Sequence, residues 1–340
     1  RRLYELMELA YNLAEFPRLW RAYRRERPAA LYERYNLFLV AGACLRRLTG
    51  IPLLLEVNAP LVEERSRFGG LANRRLAAWV ERATWRSADQ VLPVTEVLAG
   101  HVRAAGIDPR RITVLQNGVG PEFLGGNPDP ERIRARYRLE GKTVLGFTGF
   151  VREWHGLDRV IDLIADSDPS LRLHLLIVGE GPARRSLEAR AAELGISERV
   201  TMAGVVPREE VPEYVTAYDI ALQPHVVPYA SPLKLFEYMA LSRAIVAPAS
   251  PNIREVLVHE ETALLFDVAD QAAFTAAIRR LVYNPALRQR LGRSARAAID
   301  AQGLTWQRNA ERIIALIGAL ARAPHQGDRT TTQADQISAL

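Results

Sequence analysis

Residues 231–241, Ser-Pro-Leu-Lys-Leu-Phe-Glu-Tyr-Met-Ala-Leu, combine the residue types and spacing needed to hold a phosphorylated ligand. Ser231 is a favoured N-cap and Pro232 suits the first helical position, so a helix is expected to begin here. The free backbone N–H groups of Leu233 and Lys234 would point out of the helix start, where aligned peptide dipoles favour an anion. Lys234 adds a full positive charge at the same spot. Glu237, three residues on and on the same face, can accept hydrogen bonds from sugar hydroxyls. Leu235, Phe236, Met239 and Ala240 are apolar enough to seat the helix on a core. A phosphate cradle beside a hydroxyl acceptor is what a ribose-diphosphate ligand requires. The same residues also fit an ordinary capped helix with a Lys–Glu pair on its surface. The choice of cation speaks for a ligand: of 45 basic residues only Lys142 and Lys234 are lysines. A compact ammonium suits a point contact to phosphate.

Two further stretches carry possible chemistry. In 149–156, Gly-Phe-Val-Arg-Glu-Trp-His-Gly, Gly149 ends an apolar strand, where backbone can approach a phosphate. Arg152 could hold a diphosphate through two donors and His155 could donate to it; a loop Arg and His also fit plain surface polarity. Gly179-x-Gly181 follows a second strand and opens a helix, but the dinucleotide fingerprint needs a third glycine where Arg184 stands. A strand-end turn suits that pair better. All three stretches fall at strand C-ends of one domain, the edge at which open parallel sheets bind ligands.

The elements that must position them alternate. Strand patterns at 29–33, 52–57, 90–94 and 112–115 interleave with helical patterns at 36–49, 71–86 and 96–105, after an opening helical run marked by Leu3, Leu6, Met7 and Leu13. The rhythm resumes with strands at 143–148, 171–178, 199–203, 219–222, 244–247 and 263–266. Helical patterns at 270–283, 286–300 and 306–321 close the chain. This alternation predicts parallel sheets covered by helices on both faces. Between 117 and 130 the composition turns to Gly and Pro, which predicts a linker and a domain boundary.

Bulk properties narrow the class. At 340 residues, with 48% hydrophobic and 25% charged, the chain fits a soluble protein of two domains. A single cysteine, Cys44, excludes an internal disulfide and fits a reducing cytoplasm. The longest uncharged apolar run, 37–45, is too short to span a bilayer, and no signal peptide is visible. Six scattered histidines predict no metal site. Residues 1–122 hold 19 Arg against 13 acids, whereas residues 123–340 hold 26 basic and 26 acidic residues, so the net charge of +6 lies in the first third. Without a nucleic-acid recognition module, that surplus suits an anionic membrane surface or a phosphorylated acceptor better than nucleic acid; Arg-rich solvated helix faces are the plain alternative.

The order of these motifs resembles the family 4 retaining glycosyltransferases of two-Rossmann-domain (GT-B) architecture. The likeness runs from about residue 31 to residue 320 and rests on 149–156, 176–182, 199–204, 217–219 and 231–240, with Asn117-Gly118-Val119 at the interdomain turn. It implies an α/β fold of two Rossmann-like parallel-sheet domains facing a cleft. Residues 1–122 would be a partial acceptor-side domain, 123–142 a linker and 143–305 the nucleotide-sugar-binding domain. Residues 306–322 would form a closing helix returning to the first domain, and 323–340 a disordered tail. The implied reaction moves a sugar, with retention, from a nucleoside-diphosphate sugar to a glycan or lipid-linked acceptor, without a metal or other cofactor. The implied setting is cytoplasmic, at most peripheral to the inner membrane face.

The resemblance also implies roles. Glu237 would contact the ribose hydroxyls. Ser231, Pro232, Leu233, Lys234 and Gly149, with Arg152 and His155, would surround the diphosphate, and Glu255 looks like the acidic residue after the next strand. Several positions depart from the family pattern: Tyr229 replaces the first of two glutamates, Phe150 and His155 stand at the loop's Arg and Lys positions, Ser242 and Ala244 replace Gly and Pro, and Asn58 stands where His is common. The family's first strand and Gly-rich loop have no counterpart, so the first domain is expected to be N-terminally truncated. Tyr229 and the missing start favour an alternative, a catalytically silent nucleotide-sugar-binding protein. A nicotinamide-dependent oxidoreductase is a second alternative, opposed by Arg184.

Overall fold

The structure, a computed structural model, describes residues 2–322 and divides into two compact units. The first comprises 2–92, 102–113 and 310–322; the second comprises Pro93–His101 and Val114–Asn309. The tail expected at 323–340 lies outside the described residues.

The first unit opens on a long helix, α1 (Arg2–Glu26), followed by β1 (Leu31–Arg34), α2 (Ala41–Thr49), β2 (Leu53–Val57), α3 (Leu61–Glu64), α4 (Arg74–Ser87) and β3 (Gln90–Pro93). Its sheet has the order β1-β2-β3, with β1 and β2 parallel and Leu31 opposite Leu53. β2 is apolar almost throughout because both its faces are covered. Gly50 ends α2 at φ 73°, a left-handed turn that favours glycine, and its N–H reaches the Arg46 carbonyl at 2.8 Å. The strand expected at 112–115 is reduced to one bridge, Val91 to Ile112. Helix α5 (Glu96–Ala104) follows β3.

The second unit continues with α6 (Pro130–Arg136), β4 (Thr143–Thr148), α7 (Asp158–Ala165), β5 (Leu173–Val178), α8 (Arg184–Glu193), β6 (Val200–Gly204), α9 (Val211–Thr216) and β7 (Ile220–Leu222). It ends with α10 (Leu233–Ala240), β8 (Ala244–Pro248), α11 (Pro251–Arg254), β9 (Leu264–Phe266), α12 (Gln271–Val282), α13 (Pro285–Gln302) and the first turn of α14 (Trp306–Arg322). The rest of α14, from 310, groups with the first unit. The six strands are parallel in the order β6-β5-β4-β7-β8-β9, a doubly wound sheet whose strand order reverses between β4 and β7.

Alternate residues of the central strands feed two separate cores. Val144, Leu176 and Val178 face one, packed by α10 and α13, while Leu145, Phe147, Leu175 and Ile177 face the other, packed by α7, α8 and α12. Gly146 is fixed by packing, because a Cβ there would run into the Tyr218 ring.

The linker expected at 123–142 is instead part of the second unit. Phe123, Ile133 and Leu139 are buried in its core. Asp129-Pro130, which reads as linker composition, is an N-cap and first helical residue: the Asp129 carboxylate accepts the Glu131 N–H at 3.0 Å. The division falls earlier, between 113 and 114.

Candidate functional site

The site is built where β4 and β7 diverge, at the carboxyl edge of the sheet. Phe147 and Thr148 end β4, and two tyrosines pin them. The Thr148 N–H donates to the Tyr238 hydroxyl at 2.8 Å, and Thr148 Oγ1 lies 2.9 Å from the Tyr218 hydroxyl. Both phenols are buried, which pushes their pKa values up and keeps them neutral. Tyr238 belongs to α10, so this bond docks the helix against the end of β4.

Helix α10 starts one residue later than its sequence suggests. Pro232, in extended conformation, takes the N-cap position, and Ser231 does not cap. Asn117 Nδ2 donates to the Ser231 carbonyl at 2.8 Å, while the buried Ser231 hydroxyl has no hydrogen-bond partner among the described residues. The preceding segment is strapped by its carbonyls. Asn252 Nδ2 holds those of Val227 and Ala230 at 3.2 and 2.6 Å, and Thr95 Oγ1 holds that of Tyr229 at 3.1 Å. Asn252 is itself buried, its amide oxygen accepting from Ser250 Oγ at 2.7 Å. The N–H groups of Leu233 and Lys234 find no acceptor among the described residues.

Lys234 projects from this helix start, half-buried, with its ammonium 3.7 Å from the centre of the Phe147 ring. No carboxylate comes within ion-pair distance of it among the described residues. Burial lowers its pKa from 10.5 to about 7, against a partly compensating pull from Glu237. Gly149, at φ 128°, lies directly opposite: a Cβ there would stand 3.1 Å from Lys234 Nζ. Gly149 is thus required both by its backbone conformation and by the space beside the ammonium.

The loop 149–156 is fixed against its neighbour. The Gly149 N–H reaches the Val178 carbonyl and the Val151 N–H the Glu180 carbonyl, each at 2.8 Å. Cβ atoms at Gly179 or Gly181 would strike the backbone of Gly149 or Val151. The Gly-x-Gly pair therefore serves close backbone packing at a strand end. His155 folds back under this loop, buried, its Nδ1 accepting the Arg152 N–H at 3.1 Å and its ring 4.9 Å from Phe147. Burial, then the charges of Lys234 and Arg152, lower its pKa to about 3. The ring is neutral at physiological pH, and with Nδ1 accepting, its proton sits on Nε2 as a donor.

Not every expected residue joins this group. The Arg152 guanidinium lies over the exposed Phe150 ring at 4.9 Å and borders a surface hollow with Asp162, Ser186 and Arg190. Glu255 is occupied elsewhere: its oxygens accept the N–H groups of Glu96 and Val97 at 2.8 and 3.1 Å and the Gln116 amide at 3.3 Å. It caps α5. Glu237 is buried on α10, and its Oε1 accepts from Arg208 Nη1 at 2.6 Å. Arg208 was not singled out by sequence. Among the described residues no three His, Cys, Asp or Glu side chains gather to hold a metal ion.

Taken together, a helix start with free N–H groups, an unpartnered hydroxyl and a partly desolvated ammonium converge at the switch point of a doubly wound sheet. The family model described as glycosyl transferases group 1 matches residues 129–298, and a glycosyl transferase 4-like domain model matches 2–118.

The chain belongs to the glycosyl transferases group 1 family.

A 2-deoxystreptamine glucosyltransferase of Streptomyces kanamyceticus is 32% identical over 199 residues, covering 55% of this chain and 50% of that protein. The chain thus spans half the length of that family member. Among solved structures, sucrose-phosphate synthase of Thermosynechococcus elongatus superposes with a TM-score of 0.77 at 19% identity, covering 92% of this chain and 78% of that one. Anabaena HepE in complex with UDP gives 0.73 at 18% identity, covering 85% and 78%. These likenesses establish the GT-B fold class of the family. Neither the oxidoreductase reading nor that of a catalytically silent nucleotide-sugar-binding protein draws support from them. No described helix is long and apolar enough to cross a membrane.

Proposed function

We propose that the protein is a retaining glycosyltransferase that moves a sugar from a nucleoside-diphosphate sugar to a glycan or lipid-linked acceptor. The observation that carries this reading is the unpaired, half-buried Lys234 ammonium at the start of α10, facing Gly149 across the sheet's switch point. A diphosphate seated there would accept the N–H groups of Leu233 and Lys234, the Ser231 hydroxyl and the His155 Nε2–H. Gly149 keeps the opposite wall thin. Glu237 would hold the ribose hydroxyls one helical turn away, as family resemblance suggests.

In this reading the bond between the anomeric carbon and the diphosphate oxygen breaks, and negative charge grows on the departing oxygen. Donors already in place stabilise that charge without reorganising, which is the largest share of catalysis in such sites. The acceptor hydroxyl then bonds to the anomeric carbon on the same sugar face, and its proton passes to the leaving diphosphate. In this scheme such donors would do the work that a metal ion does elsewhere. The donor belongs to the second unit and the acceptor to the first. The surplus of basic residues in 1–122 suits a peripheral, anionic lipid surface at the inner membrane face.

The test is incubation with a panel of radiolabelled nucleotide sugars and a bacterial lipid extract. Label transferred to an extractable or polymeric product by the protein, and lost in Lys234→Ala, is expected. Donor binding without transfer to any acceptor fraction would instead support a silent binding protein.

A further inference from the structure

Arg208 stands outside the phosphate cradle yet reaches into the site. It opens a single turn, Arg208–Glu210, ahead of α9, and its side chain is half-exposed. Its guanidinium is held on three sides. Nη1 donates to Glu237 Oε1 at 2.6 Å, Nη2 lies 3.2 Å from Glu122 Oε1, and the plane covers the Phe123 ring at 4.7 Å. Glu237 is 5% exposed, so an exposed stem delivers its charge to a buried carboxylate. A forked, planar cation that bridges two carboxylates on an aromatic platform is pre-organised in a way a lysine is not.

The consequence lies in the geometry of Glu237. The terminal torsion of a glutamate is soft, and a lone carboxylate swings through a broad range. Tethering Oε1 fixes the plane and therefore the direction in which Oε2 and the remaining lone pairs point. We propose that Arg208 is a positioning residue that lets Glu237 distinguish a ribose bearing both hydroxyls from a deoxyribose. The proposal rests on the reading of Glu237 as the ribose acceptor. Arg208 touches neither the sugar nor the diphosphate in this scheme; it acts through the carboxylate, and Glu122 and Phe123 act through Arg208.

The experiment titrates the whole protein and its variants by calorimetry with UDP, GDP and ADP and with their 2′-deoxy and 3′-deoxy counterparts. For the nucleotide that binds wild type, removing one ribose hydroxyl should weaken binding roughly tenfold or more, the scale of a hydrogen bond to a charged group. In Arg208→Ala that preference should collapse to about twofold, through loss of ribonucleotide affinity, with deoxynucleotide affinity nearly unchanged. Arg208→Lys keeps the charge but cannot bridge both carboxylates, and should recover only part of the preference. Glu122→Gln, which loosens the tether without touching Glu237, should lower the preference while leaving the melting temperature in place. If Arg208→Ala keeps the full preference, or weakens ribo- and deoxynucleotides alike, the positioning role is overturned while the site stands. If wild type binds these nucleotides without discriminating, or not at all, the ribose-acceptor reading itself is overturned, and this inference with it.

Discussion

The two lysines of this chain sit at opposite edges of the same sheet, and each lies beside a buried histidine. At the amino edge, Lys142 Nζ is 3.4 Å from His174 Nδ1, and His174 Nε2 is 2.8 Å from Thr201 Oγ1. At the carboxyl edge, Lys234 stands over Phe147 beside His155, with no carboxylate or hydrogen-bonding partner among the described residues. The residue types are alike, but one set is closed on itself and the other is open. The difference comes from the ends of parallel strands. At the amino edge, helices deliver their C-termini and the chain enters its strands through short turns. At the carboxyl edge, glycine-bearing loops and helix N-termini leave N–H groups unspent. Possession of a Lys and a His does not make a site; an unsatisfied donor set does.

The sharpest way to break this comparison is to remove each ammonium in turn. Lys234→Ala should weaken nucleoside-diphosphate binding by about 1.5–3 kcal/mol, roughly 10- to 100-fold, the scale of a charged hydrogen bond. Lys142→Ala should leave it unchanged. Equal losses in calorimetry would dissolve the distinction between the two edges. Gly149→Ala comes next. Its φ of 128° strains any side chain, and the added methyl crowds Lys234 Nζ, so a loss of about 1–3 kcal/mol is expected, shared between stability and diphosphate affinity. Thermal melts with and without UDP would separate the shares.

Acid pH probes the closed edge. Burial, then the charges of Lys142 and Arg199, hold the His174 pKa near 4, below its ordinary 6.5. As pH falls from 6.5 towards 4 the unfolded ring gains a proton that the folded ring refuses, so stability is full above 6.5 and declines below it. His174→Gln should remove about 1–2 kcal/mol of that acid-dependent loss in urea titrations at pH 7 and pH 5. An unaltered pH dependence would show that the ring is not held neutral. The smallest effect tests the open edge. Free Lys234 is half-charged near pH 7, and a bound diphosphate favours the charged form, so binding takes up a proton and weakens as pH rises. Between pH 7 and pH 8 the affinity for a nucleotide sugar should fall about fivefold. A nucleotide sugar is the right probe because its diphosphate does not itself titrate there. Proton uptake measured in buffers of different ionisation enthalpy checks this, and its persistence in Lys234→Arg would assign the proton elsewhere.

Much of this was legible in the chain because the signals are local. The alternation of strands and helices gave the doubly wound sheet of the second unit, and the run from Ser231 to Glu237 located the helix start and its ammonium. What escaped was decided by distant partners. Glu255 reads as an acid after a strand, but only folding brings it to the N-terminus of α5, some 160 residues earlier. Arg208 reads as one arginine among many, and nothing within its own stretch reveals Glu237. Ser231 has the composition of a cap, yet the tether from Asn117 and the placement of Pro232 shift the helix by one residue. At 123–142 the misreading had another source: Gly, Pro and Asp mark caps and turns as readily as free linkers. The buried Phe123, Ile133 and Leu139, spaced among them, carried the opposite message.

The straps on the segment before α10 have a consequence for variation. Asn252, Asn117 and Thr95 all grasp main-chain oxygens, and a main-chain oxygen is the same whatever amino acid bears it. Positions 227, 228 and 230 can accordingly change identity while the approach to the helix keeps its path. The start of the helix, with its uncapped N–H groups, would keep its place through every such exchange.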